Sequence, residues 1–177
     1  MNIVLIGTIG AGKTSTGKAI AAMSDYRFAD VDELAQQRVF SRIPEGEFVS
    51  PFRIANLIYG EERKVLSDVA EWDGFVIATG ALSTSHPDAV RHLRKNGVII
   101  RLLPDVDTVV SRELRSQRAF MVEAGKSIEE TLREDYEKYA DQYLDFDYSL
   151  DVSDDETPEF FASQILEWVN TSWKQGQ

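Results

Sequence analysis

An α/β fold, a parallel sheet with helical crossovers on both faces, is predicted by three observations. Short β-branched or apolar runs alternate with helix-length segments along the chain. Those runs are apolar at consecutive positions, as strands buried on both faces require. The first run leads through a glycine-rich turn directly into a helix. With 177 residues, 43% of them hydrophobic, the chain can bury one substantial core, so a single domain over 1–177 is expected.

Each element has its own signal. Ile3 to Ile6 reads as a buried strand, and Lys13 to Met23 as a helix with Ala19, Ile20, Ala22 and Met23 apolar. Tyr26 to Asp30 reads as a second strand, with Asp32 as the expected cap of the helix that follows. "SRIPEGEFVSP" breaks the pattern with two prolines and a glycine, and helix resumes from about Phe52 to Glu71. "GFVIATG" is a third strand, "HPDAVRHLRKNG" a helix with proline near its start, and "VIIRLL" a fourth strand that Pro104 should stop. Asp105 to Ser116 is helical. "SQRAFMVEAGKS" is polar and basic, and sits where a mobile loop between helices would sit. Ser127 heads "SIEE", a capping box, for a helix towards Leu144. "YSLDVS" is a fifth strand, and the segment from Pro158 to Trp173 is a closing helix.

Composition removes several function classes. A net charge of -11 repels a polyanion, so no nucleic-acid partner is expected. The chain has no cysteine, which excludes disulfides and thiol chemistry, and two histidines are too few for a zinc site. No run approaches the roughly 18 apolar residues of a membrane helix, and "MNIVLIG" lacks the basic start of a leader. A cytoplasmic protein without a membrane partner is the expectation.

The turn after the first strand reads "GTIGAGKT" and fits G-x-x-x-x-G-K-[ST] at every fixed position, between a strand and a helix. Glycines let the backbone approach a ligand, successive N–H groups point into one concavity, and the helix's positive end faces it. Gly10, Ala11, Gly12, Lys13, Thr14 and Ser15 are therefore expected to cradle ATP. Lys13 would bridge the outer phosphates, and the Thr14 hydroxyl would ligate Mg²⁺.

The stretch from Gly7 to Ala21 resembles the start of the shikimate kinases, G-x-x-G-x-G-K-[ST]-[ST]-x-G-x-x-L-A, with Ile20 in place of the leucine. "FADVDELAQQR", "GEERKVL", "VIATGA", "DYEKYAD" and "DYSLDVS" followed by "TPEF" continue the likeness over almost the whole chain. The resemblance implies a three-layer P-loop NTPase fold with strands ordered 2-3-1-4-5. It also implies a substrate-binding excursion at about 33–62 and a lid at about 116–127. The implied activity is ATP-dependent phosphoryl transfer to a hydroxyl of a small metabolite, by a monomer or weak homodimer. Asp30 would help hold Mg²⁺. Asp32 would accept a hydrogen bond from the substrate hydroxyl and could act as base. Two apart on a strand end, these acids share a face; a helix cap plus a solvated acid is the plainer alternative. Arg118 matches the lid arginine that would stabilise the transferring phosphoryl group, the alternative being an exposed loop charge. Arg112 would stack on adenine or sit as a surface charge.

The acceptor half departs from the family. Counting back from Gly80 places the conserved glutamate at Glu62, and Tyr59 stands where an arginine belongs. Leu132 replaces a second arginine. Arg133 is adjacent, but one residue on a helix turns a side chain by roughly 100°. Gly80 is followed by Ala81 and Leu82 rather than by two glycines. Tyr59, Gly80 and Arg133 are thus candidate acceptor residues beside Asp32. A buried carboxylate without a cation costs several kcal/mol, so the acceptor need not be shikimate. Two other readings stay open: a nucleotide-binding regulatory module without transfer, and a kinase for a nucleotide or sugar acid.

Overall fold

The computed structural model describes residues 1–81, 83, 86–116, 125–143 and 145–173. Five parallel strands, β1 (Asn2–Ile6), β2 (Arg27–Asp30), β3 (Phe75–Ala78), β4 (Gly97–Pro104) and β5 (Tyr148–Val152), form one sheet in the order 2-3-1-4-5, the order that the resemblance implies. β1 is central. It pairs with β3 through Ile3–Val76 to Leu5–Ala78 and with β4 through Asn2–Gly97 to Ile6–Arg101.

Seven α-helices are described: α1 (Lys13–Ala22), α2 (Val31–Phe40), α3 (Pro51–Ala70), α4 (Pro87–Leu93), α5 (Val106–Ser116), α6 (Ile128–Tyr139) and α7 (Pro158–Trp168). Side chains alternate across a strand, so the central strands feed two cores. Ile3, Leu5, Val76, Val98 and Ile100 pack with Ile20 of α1 and with Phe161 and Ile165 of α7. Val4, Ile6, Ile77 and Ile99 pack on the opposite face with Val31, Ala35, Val65, Leu66 and Leu93 of α2, α3 and α4.

Several ends differ from the sequence reading for local reasons. Asp30, rather than Asp32, caps α2, because its Oδ1 accepts from the backbone N–H of Asp32 and Glu33 at 3.1 and 3.2 Å. Pro104 belongs to β4 and closes the strand from inside. The α6 helix stops at Tyr139 and tightens into a 3-10 turn over Ala140–Gln142. The capping box at Ser127 forms as read, with Glu130 reaching back to it.

The α2–α3 pair is fastened by Glu61. Its carboxylate is 4% exposed and takes Arg42 at 2.7 and 3.1 Å and Lys64 at 3.2 Å, with Arg38 at 3.7 Å. These cations hold its pKa down at about 2, the Arg42 hydrogen bond chief among them and burial opposing.

Gly7 joins the sheet to the phosphate loop under tight constraint. Its φ is 147°, and a Cβ there would stand 2.5 Å from the Leu102 carbonyl oxygen. Backbone strain and overpacking each cost about 1–3 kcal/mol. Gly7→Ala should therefore lower the melting temperature by roughly 5–10 °C at this chain length, as read by differential scanning fluorimetry. An unchanged melting temperature would show that the loop shifts freely off β4.

Candidate active site

The site lies at the carboxyl ends of β1, β2 and β3, where an open α/β sheet leaves a crevice for ligands. β1 delivers Gly7 and the phosphate loop. Gly12 takes a left-handed conformation at the N-cap of α1, so the first turn of that helix opens on the loop. Ala11 is fully buried beneath it and Ser15 is exposed in the first turn of α1. Lys13 is nearly buried. Its Nζ donates to the carbonyls of Gly7 and Thr8, both at 2.8 Å, which lays the ammonium along the loop.

β2 delivers Asp30. The Thr14 hydroxyl donates to Asp30 Oδ2 at 2.7 Å, bringing together one hydroxyl and one carboxylate from α1 and β2. Both are hard oxygen donors. Mg²⁺ characteristically takes one or two such protein ligands and keeps its remaining positions for water and phosphate oxygens. The pair therefore fits that ion, and Thr14 and Asp30 are the residues that would hold it.

β3 delivers Gly80. The turn after the strand is tied to β1, because Thr79 donates to the Leu5 carbonyl from its N–H and its hydroxyl at 3.1 and 3.0 Å. Tyr143, buried, donates its hydroxyl to the Ala81 carbonyl. Against this fixed turn stand two carboxylates. The point where a Gly80 Cβ would lie is 2.3 Å from Glu62 Oε1 and 2.4 Å from Asp32 Oδ1. Gly80 is thus needed for space. Glu62 is 4% exposed, and its Oε1 is buried without a hydrogen-bond partner among the described residues. Burial first, then the negative charge of Asp32, pushes its pKa up to about 7, while Lys13 opposes them.

Tyr59 lies one helical turn before Glu62 and packs its ring on His86, centroids 4.9 Å apart. The structure sets His86 at the start of α4 with no capping bond, and its buried Nε2 has no partner among the described residues. Burial, and then the charge of Arg63, pushes its pKa down, so the ring is favoured neutral. Leu132 is fully buried. Arg133 turns to Asp107 at 2.8 Å and Glu129 at 3.0 Å on the exposed side of α6.

Arg112 is neither a loose surface charge nor free to swing. Its guanidinium donates to the Gly10 carbonyl at 3.1 Å, the Ser153 carbonyl at 2.8 Å and Asp154 at 2.7 Å. It thereby joins the phosphate loop to the turn after β5. Of the lid expected at about 116–127, residues 117–124, Arg118 among them, lie outside the described residues; Ser116 ends α5 and Ser127 caps α6.

The family model described as Shikimate kinase matches residues 9–170. The chain belongs to the shikimate kinase family. Shikimate kinases from Shewanella sp. (strain W3-18-1) and Shewanella oneidensis are each 32% identical to it, covering 94% of this chain and 95% of theirs. Among solved structures, the shikimate kinase of Bacteroides thetaiotaomicron is 25% identical with a TM-score of 0.74, covering 96% of this chain and 98% of that one. The shikimate kinase of Acinetobacter baumannii, solved in complex with shikimate, has a TM-score of 0.76 at 23% identity, covering 96% and 93%. A gluconokinase from Sinorhizobium meliloti, 17% identical with a TM-score of 0.60 over 99% of this chain and 97% of its own, shares the fold. The protein is accordingly an ATP-dependent small-molecule kinase. Among the described residues, no helix of this kinase is long and apolar enough to cross a membrane.

Sequence reasoning placed Glu62 by counting but gave it no role. The available signal was Tyr59 at the position of the family's arginine, one helical turn before that carboxyl.

Proposed function

We propose that this kinase transfers the γ-phosphoryl group of ATP to a hydroxyl of a small polyhydroxylated metabolite held against Asp32 and the turn at Gly80. One observation carries the reading: a carboxylate pair, Asp32 and Glu62, faces Gly80 beside the lysine of a phosphate loop. Asp32 accepts the acceptor's O–H. As that oxygen bonds to the γ-phosphorus, the bond from phosphorus to the β–γ bridging oxygen breaks and ADP leaves. The hydroxyl proton passes to the Asp32 carboxylate. Gly10 to Ser15 hold the phosphates, Lys13 neutralises charge at the outer ones, and Arg118 closes from the lid. Arg112 supports the adenine side. Thr14 and Asp30 would hold Mg²⁺, which when bound would supply charge neutralisation on the phosphate oxygens. Tyr59 borders the acceptor, and the setting is the cytoplasm.

The shikimate kinases act on shikimate by name, and that compound belongs in the first assay. The test is acceptor-dependent ADP release from Mg·ATP across a panel of hydroxylated metabolites, with shikimate included. We expect Mg·ATP to raise the melting temperature and at least one acceptor to give stoichiometric ADP and phosphorylated product. ATP binding with no acceptor-dependent ADP across the panel would replace this reading with that of a nucleotide-binding module.

A further inference from the structure

The acceptor side keeps two acids, Asp32 and Glu62, and has neither of the arginines that the family places there. Asp32 and Glu62 both reach the same face of Gly80, one from α2 and one from α3. The Glu62 oxygen that faces it is buried and has no partner among the described residues. A buried polar atom left so is costly unless a ligand or water completes it. The residue one turn earlier, where the family's arginine belongs, is Tyr59, and its ring is taken up against a His86 favoured neutral. The second family position is Leu132, which lies in the interior. Arg133, beside it, is engaged with Asp107 and Glu129. Lys13 acts on Glu62 through its charge, while its ammonium donates to the Gly7 and Thr8 carbonyls on the phosphate-loop side. Arg63 is exposed on α3, and its charge acts on His86.

Above pH 7, where Glu62 is ionised, a carboxylate brought to Gly80 would therefore meet two negative side chains in a partly dry space. Neutral hydroxyls meet the opposite situation. Each O–H can donate to one carboxylate oxygen, and such charge-assisted bonds are the stronger class. Two neighbouring hydroxyls on a ring or chain can donate to Asp32 and Glu62 together.

We propose that Glu62 is an acceptor-binding residue and that Asp32 and Glu62 select a neutral polyol bearing neighbouring hydroxyls, rejecting an acceptor that carries a carboxylate. This rests on the kinase reading for where the acceptor sits, and concerns only which acceptor is taken.

A matched pair of ligands tests it: shikimate and its methyl ester, which differ in the charge at one position, with a neutral cyclic polyol such as an inositol as a third probe. Binding is measured by calorimetry on the full chain loaded with Mg²⁺ and a non-hydrolysable ATP analogue, and turnover is measured separately with ATP. The ester should bind at least tenfold more tightly than shikimate. Glu62→Gln should raise the ester's KM roughly tenfold with little change in kcat, the loss of one charge-assisted hydrogen bond. Tyr59→Arg should reverse the order of the pair by restoring a cation beside Glu62.

Shikimate binding as tightly as its ester overturns the proposal, all the more if Arg63→Met then abolishes shikimate binding, since Arg63 would be the missing cation. Failure of all three probes to bind overturns it as well. Preferential binding of the neutral ligands without phosphate transfer supports this proposal and retires the kinase reading, so the two fail separately.

Discussion

Asp32→Asn should lower phosphoryl transfer by about 10²–10⁴-fold, the range expected when a positioned general base is lost, while ATP binding stays intact. The amide keeps the shape of the side chain and loses the capacity to take the acceptor's proton. It also leaves the donor half alone. The phosphate loop is organised by Lys13 on the Gly7 and Thr8 carbonyls, and the Thr14–Asp30 pair is built from other side chains. Helix α2 keeps its cap, because the capping carboxylate is that of Asp30. The variant should therefore fold as the parent does, and its melting temperature checks this. Single-turnover phosphate transfer and nucleotide affinity are the paired measurements. Retained turnover would remove Asp32 from the chemistry and point to direct transfer with the proton passing to the phosphate.

Glu62→Gln should stabilise the protein at pH 8 and leave it unchanged near pH 4. The sign follows from linkage. The carboxyl titrates near its ordinary value of 4.5 in the unfolded chain and at about 7 in the folded one. Below 4.5 both states are protonated and the group makes no difference. Between 4.5 and 7 the unfolded chain gives up a proton that the folded chain keeps, so stability falls as pH rises. Above 7 the full cost, on the order of 3 kcal/mol, is present. The amide of the variant mimics the protonated form and has no such cost. The melting-temperature gap between the variant and the parent should open by roughly 5–10 °C between pH 4.5 and 8. A gap independent of pH would show that Glu62 is not the group responsible. Its neighbour Glu61 behaves in the reverse sense. With a pKa of about 2 it contributes stability above 4.5 that is lost as acid protonates it. Because both proteins carry Glu61, that contribution cancels in the difference.

The contrast between these neighbours shows where sequence reading stops. The phosphate loop could be read from the chain because its parts are contiguous: eight residues from Gly7 to Thr14 contain the turn, the charge and the hydroxyl. The strands could be read because runs such as Ile3 to Ile6 are apolar on both faces, and their order followed from the family likeness. Glu61 and Glu62 are identical letters. One faces Arg42, just past the end of α2, and Lys64 of its own helix, and the other faces Gly80 and Asp32. A helical step of roughly 100° separates them, and only the packing of α3 on its neighbours says which direction each side chain takes. The same holds for Asp30 and Asp32. The cap passed to Asp30 because the helix began earlier than its polar pattern implied. The packing of His86 on Tyr59 is likewise invisible in the chain, because the two rings are distant in sequence.

Arg112 has a consequence for how the nucleotide is received. Its carbonyl partner in the phosphate loop is 102 residues away and its partner after β5 is 41 residues away. One guanidinium therefore sets the distance between the phosphate loop and the turn after β5. The ordering of both segments is completed when the chain folds, so little conformational freedom remains to be lost when the nucleotide arrives. The phosphate loop is thus held like a gauge of fixed length, whereas the Glu62 oxygen beside Gly80 has no hydrogen-bond partner among the described residues.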